Sequence, residues 1–168
     1  FFENVLGNNQ QIIRTIPNTP ASIKKGVTAI YFNRNCINKT INQSILLMKA
    51  VGEAVRVDDE HLMDAYTAVS GSGPAYIFYF VEAIISAAKE MGINEKNARI
   101  LAEKTLIGSA YLLENSQARA QDLRKAVTSP KGTTEAGLNV LMKKDAFFNL
   151  TSRAIQKAQK RGRELGKS

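Results

Sequence analysis

Hydrophobic and polar positions follow two different rhythms along the chain. Over the first third the apolar runs are short and rich in β-branched and aromatic residues. QIIRTIP (11–17) and VTAIYF (27–32) flank NTPASIKKG (18–26), which has turn residues at both ends, so two strands joined by a loop are expected. NKTINQSILLMKAVG (38–52) sets Ile41, Ile45, Met48 and Val51 on one helical face and stops at Gly52, and EAVRV (53–57) reads as a third strand. Strand, helix and strand in that order predict a βαβ fragment, as at the trailing edge of an α/β domain.

From Asp58 onward the rhythm is helical. Asp58 is placed to cap a helix with apolar positions Leu62, Met63, Tyr66 and Val69, and SGSGP (70–74) is expected to break it. AYIFYFVEAIISAAKEMG (75–92) has only a narrow polar stripe, Tyr79, Glu82, Ser86 and Lys89, so the helix it predicts must be covered on several sides. Gly92 ends that helix, and Asn94 caps the next, whose apolar face holds Ala98, Leu101, Ala102, Thr105, Leu112 and Leu113. Further helices are predicted over 119–127, 134–143 and 147–165. A chain this short cannot cover all of these faces alone, so packing against a second copy is expected.

Composition narrows the picture. The 168 residues suffice for one domain, or for one domain and a piece of another. No uninterrupted apolar run reaches transmembrane length, so a soluble protein without a membrane partner is expected. The single cysteine, Cys36, has no Cys or His at ligand spacing, which excludes an internal disulfide framework and the usual zinc site and points to a reducing, cytoplasmic setting. FFENVLGNNQ lacks the features of a signal peptide and begins as if inside a helix, without an initiator methionine, so a longer parent protein is expected. Of the net charge of +8, the densest part is Arg153, Lys157, Lys160, Arg161, Arg163 and Lys167, with few aromatics between them. That pattern reads as a solvated helix face rather than a nucleic-acid groove.

Two loops are candidates for chemistry. SGSGPAY (70–76) offers Gly71 and Gly73 as the start of a dinucleotide fingerprint, but Tyr76 stands at the third glycine position and no βαβ unit follows, so a turn feeding Pro74 at a helix start is the better reading. In TSPKGTTEAG (128–137), Pro130 stops one helix, Gly132 permits a backbone geometry other residues resist, and Thr133 or Thr134 opens the next helix. Backbone N–H groups there, among the hydroxyls of Ser129, Thr133 and Thr134, suit either a small anion or a water-filled cap. His61, the only histidine, is expected at the surface, and no catalytic triad, metal cluster or phosphate loop can be assembled.

Together, PNTP (17–20), DAYTAVSGSGPAYIFYFVEA (64–83) and SPKGTTEAGL (129–138) resemble pyrroline-5-carboxylate reductases in order and spacing. The resemblance implies a mostly α chain: residues 1–57 are the C-terminal, trailing βαβ fragment of an NAD(P)-binding Rossmann-like domain. Residues 58–168 are then a helical dimerisation and substrate-binding domain of the 6-phosphogluconate dehydrogenase C-terminal-like kind. It implies reduction of 1-pyrroline-5-carboxylate to L-proline with hydride from NADPH or NADH, the last step of proline biosynthesis, by a cytoplasmic homodimer or higher homo-oligomer without nucleic-acid or membrane partners. By motif position, Ser129, Gly132, Thr133 and Thr134 would hold the substrate carboxylate. Thr134 and Thr67 would act as the catalytic pair near the ring nitrogen, Pro17, Asn18 and Thr19 would lie near the nicotinamide, and no metal is implied. Two features depart from the family. The glycine-rich cofactor fingerprint is not in this sequence, so the chain alone is expected to be inactive. Lys131 stands where a small residue is usual; with positive φ it would cost on the order of 1 kcal/mol. A non-catalytic helical dimerisation module is the alternative.

Overall fold

The structure, a computed structural model, describes residues 2–166. The chain divides into two compact units, Phe1–Ala75 with Arg153–Ser168, and Tyr76–Ser152.

The first unit is built on a three-stranded sheet. After a short helix α1 (Phe2–Leu6) come β1 (Ile13–Ile16), β2 (Gly26–Phe32), α2 (Asn38–Lys49) and β3 (Gly52–Val57). The order is β1-β2-β3, with β1 antiparallel to β2 in the register Ile13↔Phe32 and β3 parallel to it in the register Gly26↔Gly52. The expected strand, helix, strand crossover is therefore present. β2 is the central strand and is buried on both faces, which explains its near-continuous apolar sequence. Gly52 has φ of 145°, and a Cβ there would stand 1.9 Å from the Gly26 carbonyl oxygen, so only glycine fits where β3 enters the sheet. The segment between β1 and β2 is a 3-10 turn, Thr19–Ile23, closed by Lys24 in the left-handed conformation.

Val57, Ala29 and Met63 form the core of this unit, with Ile16, Tyr31 and Tyr66 packed against it. The outer edge of β1 has no strand beside it among the described residues.

The next helix begins one residue later than expected. The Asp59 carboxylate, not Asp58, accepts the His61 N–H at 2.9 Å, and a 3-10 turn (Glu60–Leu62) leads into α3 (Met63–Tyr66).

The expected break at SGSGP does not occur. Thr67–Gly71 form a π-helical turn that runs directly into α4 (Gly73–Glu90), with the Ser72 N–H bonded to the Thr67 carbonyl at 2.9 Å. Pro74 has no N–H for the Ser70 carbonyl and its ring would crowd that oxygen in a regular helix. Thr67 and Ser70 hydroxyls bond back to Met63 and Tyr66 carbonyls, both at 2.8 Å, an arrangement that bends helices. One extra residue in the turn absorbs both effects without ending the helix. Residues Glu60–Glu90 are thus one helical run, long and apolar enough by length and composition alone to cross a membrane. The sequence expectation missed this because it divided the run at the glycines.

The second unit is helical throughout. It contains most of α4, all of α5 (Glu95–Asn115), α6 (Ala120–Ala126) and α7 (Thr133–Met142), and the start of α8 (Ala146–Leu165). Asn94 caps α5 as expected, accepting the Asn97 N–H at 3.0 Å. Phe80 and Phe147 meet with ring centroids 6.1 Å apart. The residues buried in this unit are alanines, Ala88, Ala98 and Ala102, whereas Phe78 is 61% and Tyr79 72% exposed. The basic residues of α8 from Arg153 to Arg163 are exposed, in line with a solvated face; Lys167 lies outside the described residues.

Candidate active site

In the first unit the candidate residues gather around the π-turn. Thr67 is half-buried, and its hydroxyl hydrogen is committed to the Met63 carbonyl. Its oxygen is therefore left as an acceptor, suited to an N–H donor on a ligand. Pro17 and Thr19 are exposed at the end of β1. Asn18, between them, is not free. Its side-chain NH2 donates to the Ser70 carbonyl at 3.1 Å, and its side-chain oxygen accepts the Val27 N–H at 2.9 Å. These partners fix the orientation of the amide, since a carbonyl demands the NH2 and an N–H demands the oxygen. Each bond uses one of the amide's two N–H donors or one of its oxygen's two lone pairs, so Asn18 keeps one donor and one acceptor site.

In the second unit TSPKGTTEAG forms the connection from α6 to α7. Gly132 is the N-cap residue of α7, with no side chain capping the helix. The first intrahelical bond runs from the Ala136 N–H to the Gly132 carbonyl at 3.2 Å, so the N–H groups of Thr133, Thr134 and Glu135 are open at the helix start. Ser129, Thr133 and Thr134 are exposed beside them. The loop thus brings four of the expected residues together at a site with the polarity an anion requires.

One expectation about this loop changes, and the condition attached to Lys131 is met. Gly132 has φ of −84° and ψ of 171°, an extended conformation any residue adopts. Its contribution is space: a Cβ there would approach the Ser129 carbonyl oxygen to 3.0 Å. The left-handed residue is Lys131, with φ of 61°. A bond that sequence reasoning missed supports this turn. The Lys131 N–H donates to the Glu135 carboxylate at 2.8 Å. A glutamate three residues after the N-cap is a recognisable signal for such a back-reaching bond.

Away from these loops, an open cleft of about 710 Å³ in the first unit is lined by Arg14, Tyr31, Asp59, His61, Asp64 and Arg163, among others. His61 is exposed, as expected. Burial, followed by the carboxylates of Glu60, Glu3 and Asp59 and then Cys36, raises the Tyr31 pKa above its ordinary value. None of the candidate site residues lines this cleft. In the second unit a groove of about 510 Å³ runs between α4 and α5, bordered by Phe78, Val81, Ile85, Leu106 and Ile107 with Arg99 and carboxylates at its side. Among the described residues no group of three or more His, Cys, Asp or Glu side chains is placed to hold a metal ion.

A β-strand, helix, β-strand crossover followed by helices with exposed large apolar side chains is a fragment of an α/β sheet joined to a helical region. Comparison with known proteins agrees. Residues 60–165 match the family model described as pyrroline-5-carboxylate reductase dimerisation. The chain is 40% identical over 156 residues to a pyrroline-5-carboxylate reductase of Synechocystis, covering 93% of this chain and 58% of that protein. It is 38% identical over 160 residues to one of Pseudomonas aeruginosa, covering 95% and 58%. The solved structure of a pyrroline-5-carboxylate reductase from Coxiella burnetii superimposes with a TM-score of 0.91 at 36% identity, over 97% of this chain and 60% of that one. That of the Plasmodium falciparum pyrroline carboxylate reductase, with NADP bound, gives 0.86 at 28% identity, over 98% and 64%. The chain belongs to the pyrroline-5-carboxylate reductase dimerisation family, with a partial Rossmann-like fragment ahead of the helical domain. It spans about 58% of the length of the two curated relatives.

Proposed function

We propose that this chain is part of a reductase that converts 1-pyrroline-5-carboxylate to L-proline with NADPH or NADH. The observation that carries the reading is the uncapped start of α7, where three backbone N–H groups open among the hydroxyls of Ser129, Thr133 and Thr134. A carboxylate there gains the helix dipole, about 0.3–1 kcal/mol when exposed. Holding that end of a small rigid ring also fixes the position of its C=N bond. The relatives' shared activity supports this assignment of substrate.

Thr67 and Thr134 are the candidates for the ring nitrogen. Thr67 offers an acceptor, because its own proton is committed to Met63. The Thr134 hydroxyl is exposed, able to donate or accept. Protonation of the imine favours its reduction, and an acceptor beside the nitrogen stabilises the resulting N–H.

The nicotinamide cofactor supplies the hydride. The exposed Pro17 and Thr19 fit a loop beside the nicotinamide, but no G-x-G-x-x-G stretch occurs in the 168 residues, so they supply no pyrophosphate cradle. The 168 residues on their own are accordingly expected to show no turnover.

We place the domain boundary after Val57, a division supported by the family match beginning at residue 60. A homodimer, or a higher homo-oligomer, formed through α4 and α5 would cover their apolar faces. A cytoplasmic enzyme agrees with the free thiol of Cys36. In the complete enzyme, Thr134→Ala is expected to lower kcat/KM by about 10²-fold or more. Unchanged turnover and unchanged substrate affinity would remove Thr134 from the site.

A further inference from the structure

The bond between Asn18 and Ser70 joins two segments far apart in sequence. Both bear on the reductase activity proposed for the complete enzyme, and the role assigned to Asn18 rests on that activity. One segment is the PNTP loop at the end of β1. The other is the π-turn that carries Thr67. Pro74, four residues on, has no N–H to offer the Ser70 carbonyl, and the Ala75 N–H, five residues on, is bonded to the Ser72 carbonyl at 3.1 Å. The freed oxygen takes the Asn18 NH2 at 3.1 Å instead, while the Asn18 side-chain oxygen secures the start of β2 through the Val27 N–H at 2.9 Å. The contact is tight around this clasp. At Gly71 an added Cβ would meet the Thr67 methyl at 3.4 Å and the Ile16 methyl at 3.8 Å.

We propose that Asn18 is a positioning residue: its side-chain amide clasps the PNTP loop to the π-turn and so sets the distance between that loop and the Thr67 hydroxyl. Pro74 belongs to the same device, since it keeps the acceptor free. Asn18 acts through Thr67 and the loop, without touching substrate itself.

Two substitutions break the clasp from opposite ends. Asn18→Asp keeps the acceptor for Val27 but sets a carboxylate against the Ser70 carbonyl. Pro74→Ala gives the helix its own N–H for Ser70 and so competes with Asn18. In the complete enzyme each is expected to lower kcat by on the order of tenfold to a hundredfold, the scale of an ångström-sized misplacement. The KM for 1-pyrroline-5-carboxylate should change much less, because the carboxylate loop is untouched. The double variant should be no slower than the slower single one, because both changes remove one interaction.

Amide hydrogen exchange gives a readout independent of turnover. In Asn18→Asp, exchange at Ser72 should accelerate while that at Val27 stays as in the wild type. Unchanged exchange at Ser72, wild-type kcat in Asn18→Asp, or multiplying effects in the double variant would each overturn the clasp. Absence of wild-type turnover would instead overturn the proposed activity, leaving the exchange result to judge whether Asn18 holds the turn.

Discussion

The two units of the chain are packed in opposite ways. In the first, Ile30, Met63, Val57 and Thr28 are sealed almost completely from solvent around a sheet. In the second, the helices bury three alanines while Phe78, Tyr79, Leu112 and Leu113 stand exposed. A fully buried large apolar side chain contributes roughly 1.5–3 kcal/mol, and the first unit collects that stabilisation within one chain. The second has the side chains to do the same but presents them outward. The difference lies in the large buried side chains: the first unit has them, although Leu46 and Leu47 of α2 stand exposed, and the second buries only alanines.

The sharpest way to break this comparison is Phe78→Glu. If the α4 face joins two chains, a buried, unpaired charge there should dissociate the oligomer, read as a monomer by analytical ultracentrifugation. An oligomer of unchanged stability would move the interface elsewhere. Next in size is Met63→Ala, a truncation inside the sealed core. It should cost about 2–5 kcal/mol, measured by denaturant unfolding, and the loss should not depend on protein concentration. Lys131→Gly comes third. It relieves the left-handed backbone but adds freedom to the unfolded chain, so a net gain of at most about 1 kcal/mol is expected; a loss would show that the lysine side chain stabilises the turn.

The smallest effects are those of pH, and they fall on opposite sides in the two units. In the second, the hydrogen bond from Lys89 at 3.0 Å, with its charge, holds the Glu95 carboxyl below the usual carboxylate range. A depressed folded pKa gives stability present above the unfolded value and lost as pH falls through the folded one. In the first, burial holds the Tyr31 phenol above its ordinary value, so its contribution is complete below the unfolded value and lost as pH rises through the folded one. Exchange-detected opening of α5 should therefore ease in acid, and that of β2 in alkali. Lys89→Met and Tyr31→Phe should flatten the respective profiles.

The strands, the crossover helix and the helical second half were legible in the sequence because each had an unambiguous period. The failure was local. SGSGP contains the residues that usually interrupt helices, yet neither Gly71 nor Gly73 adopts positive φ, and the extra residue of a π-turn accommodates Pro74. Such a turn is set by which carbonyls find other donors, and the donor that matters, Asn18, lies 52 residues away. The candidate site was legible in a similar measure. Hydroxyls and a helix start at 129–134 could be read directly. The extended backbone of Gly132 could not, because its neighbour Lys131 takes the left-handed conformation that a glycine usually takes.

The edge of β1 that has no strand beside it among the described residues bears on how these 168 residues behave when handled alone. A strand with one unpaired row of N–H and C=O groups is a template for self-association. Arg14, exposed in that strand and paired with Glu60 at 3.5 Å, is a charge at the position where such pairing would begin. Replacing it with an apolar residue would turn a soluble preparation toward aggregates, and a neighbouring strand along that edge would protect against the same fate.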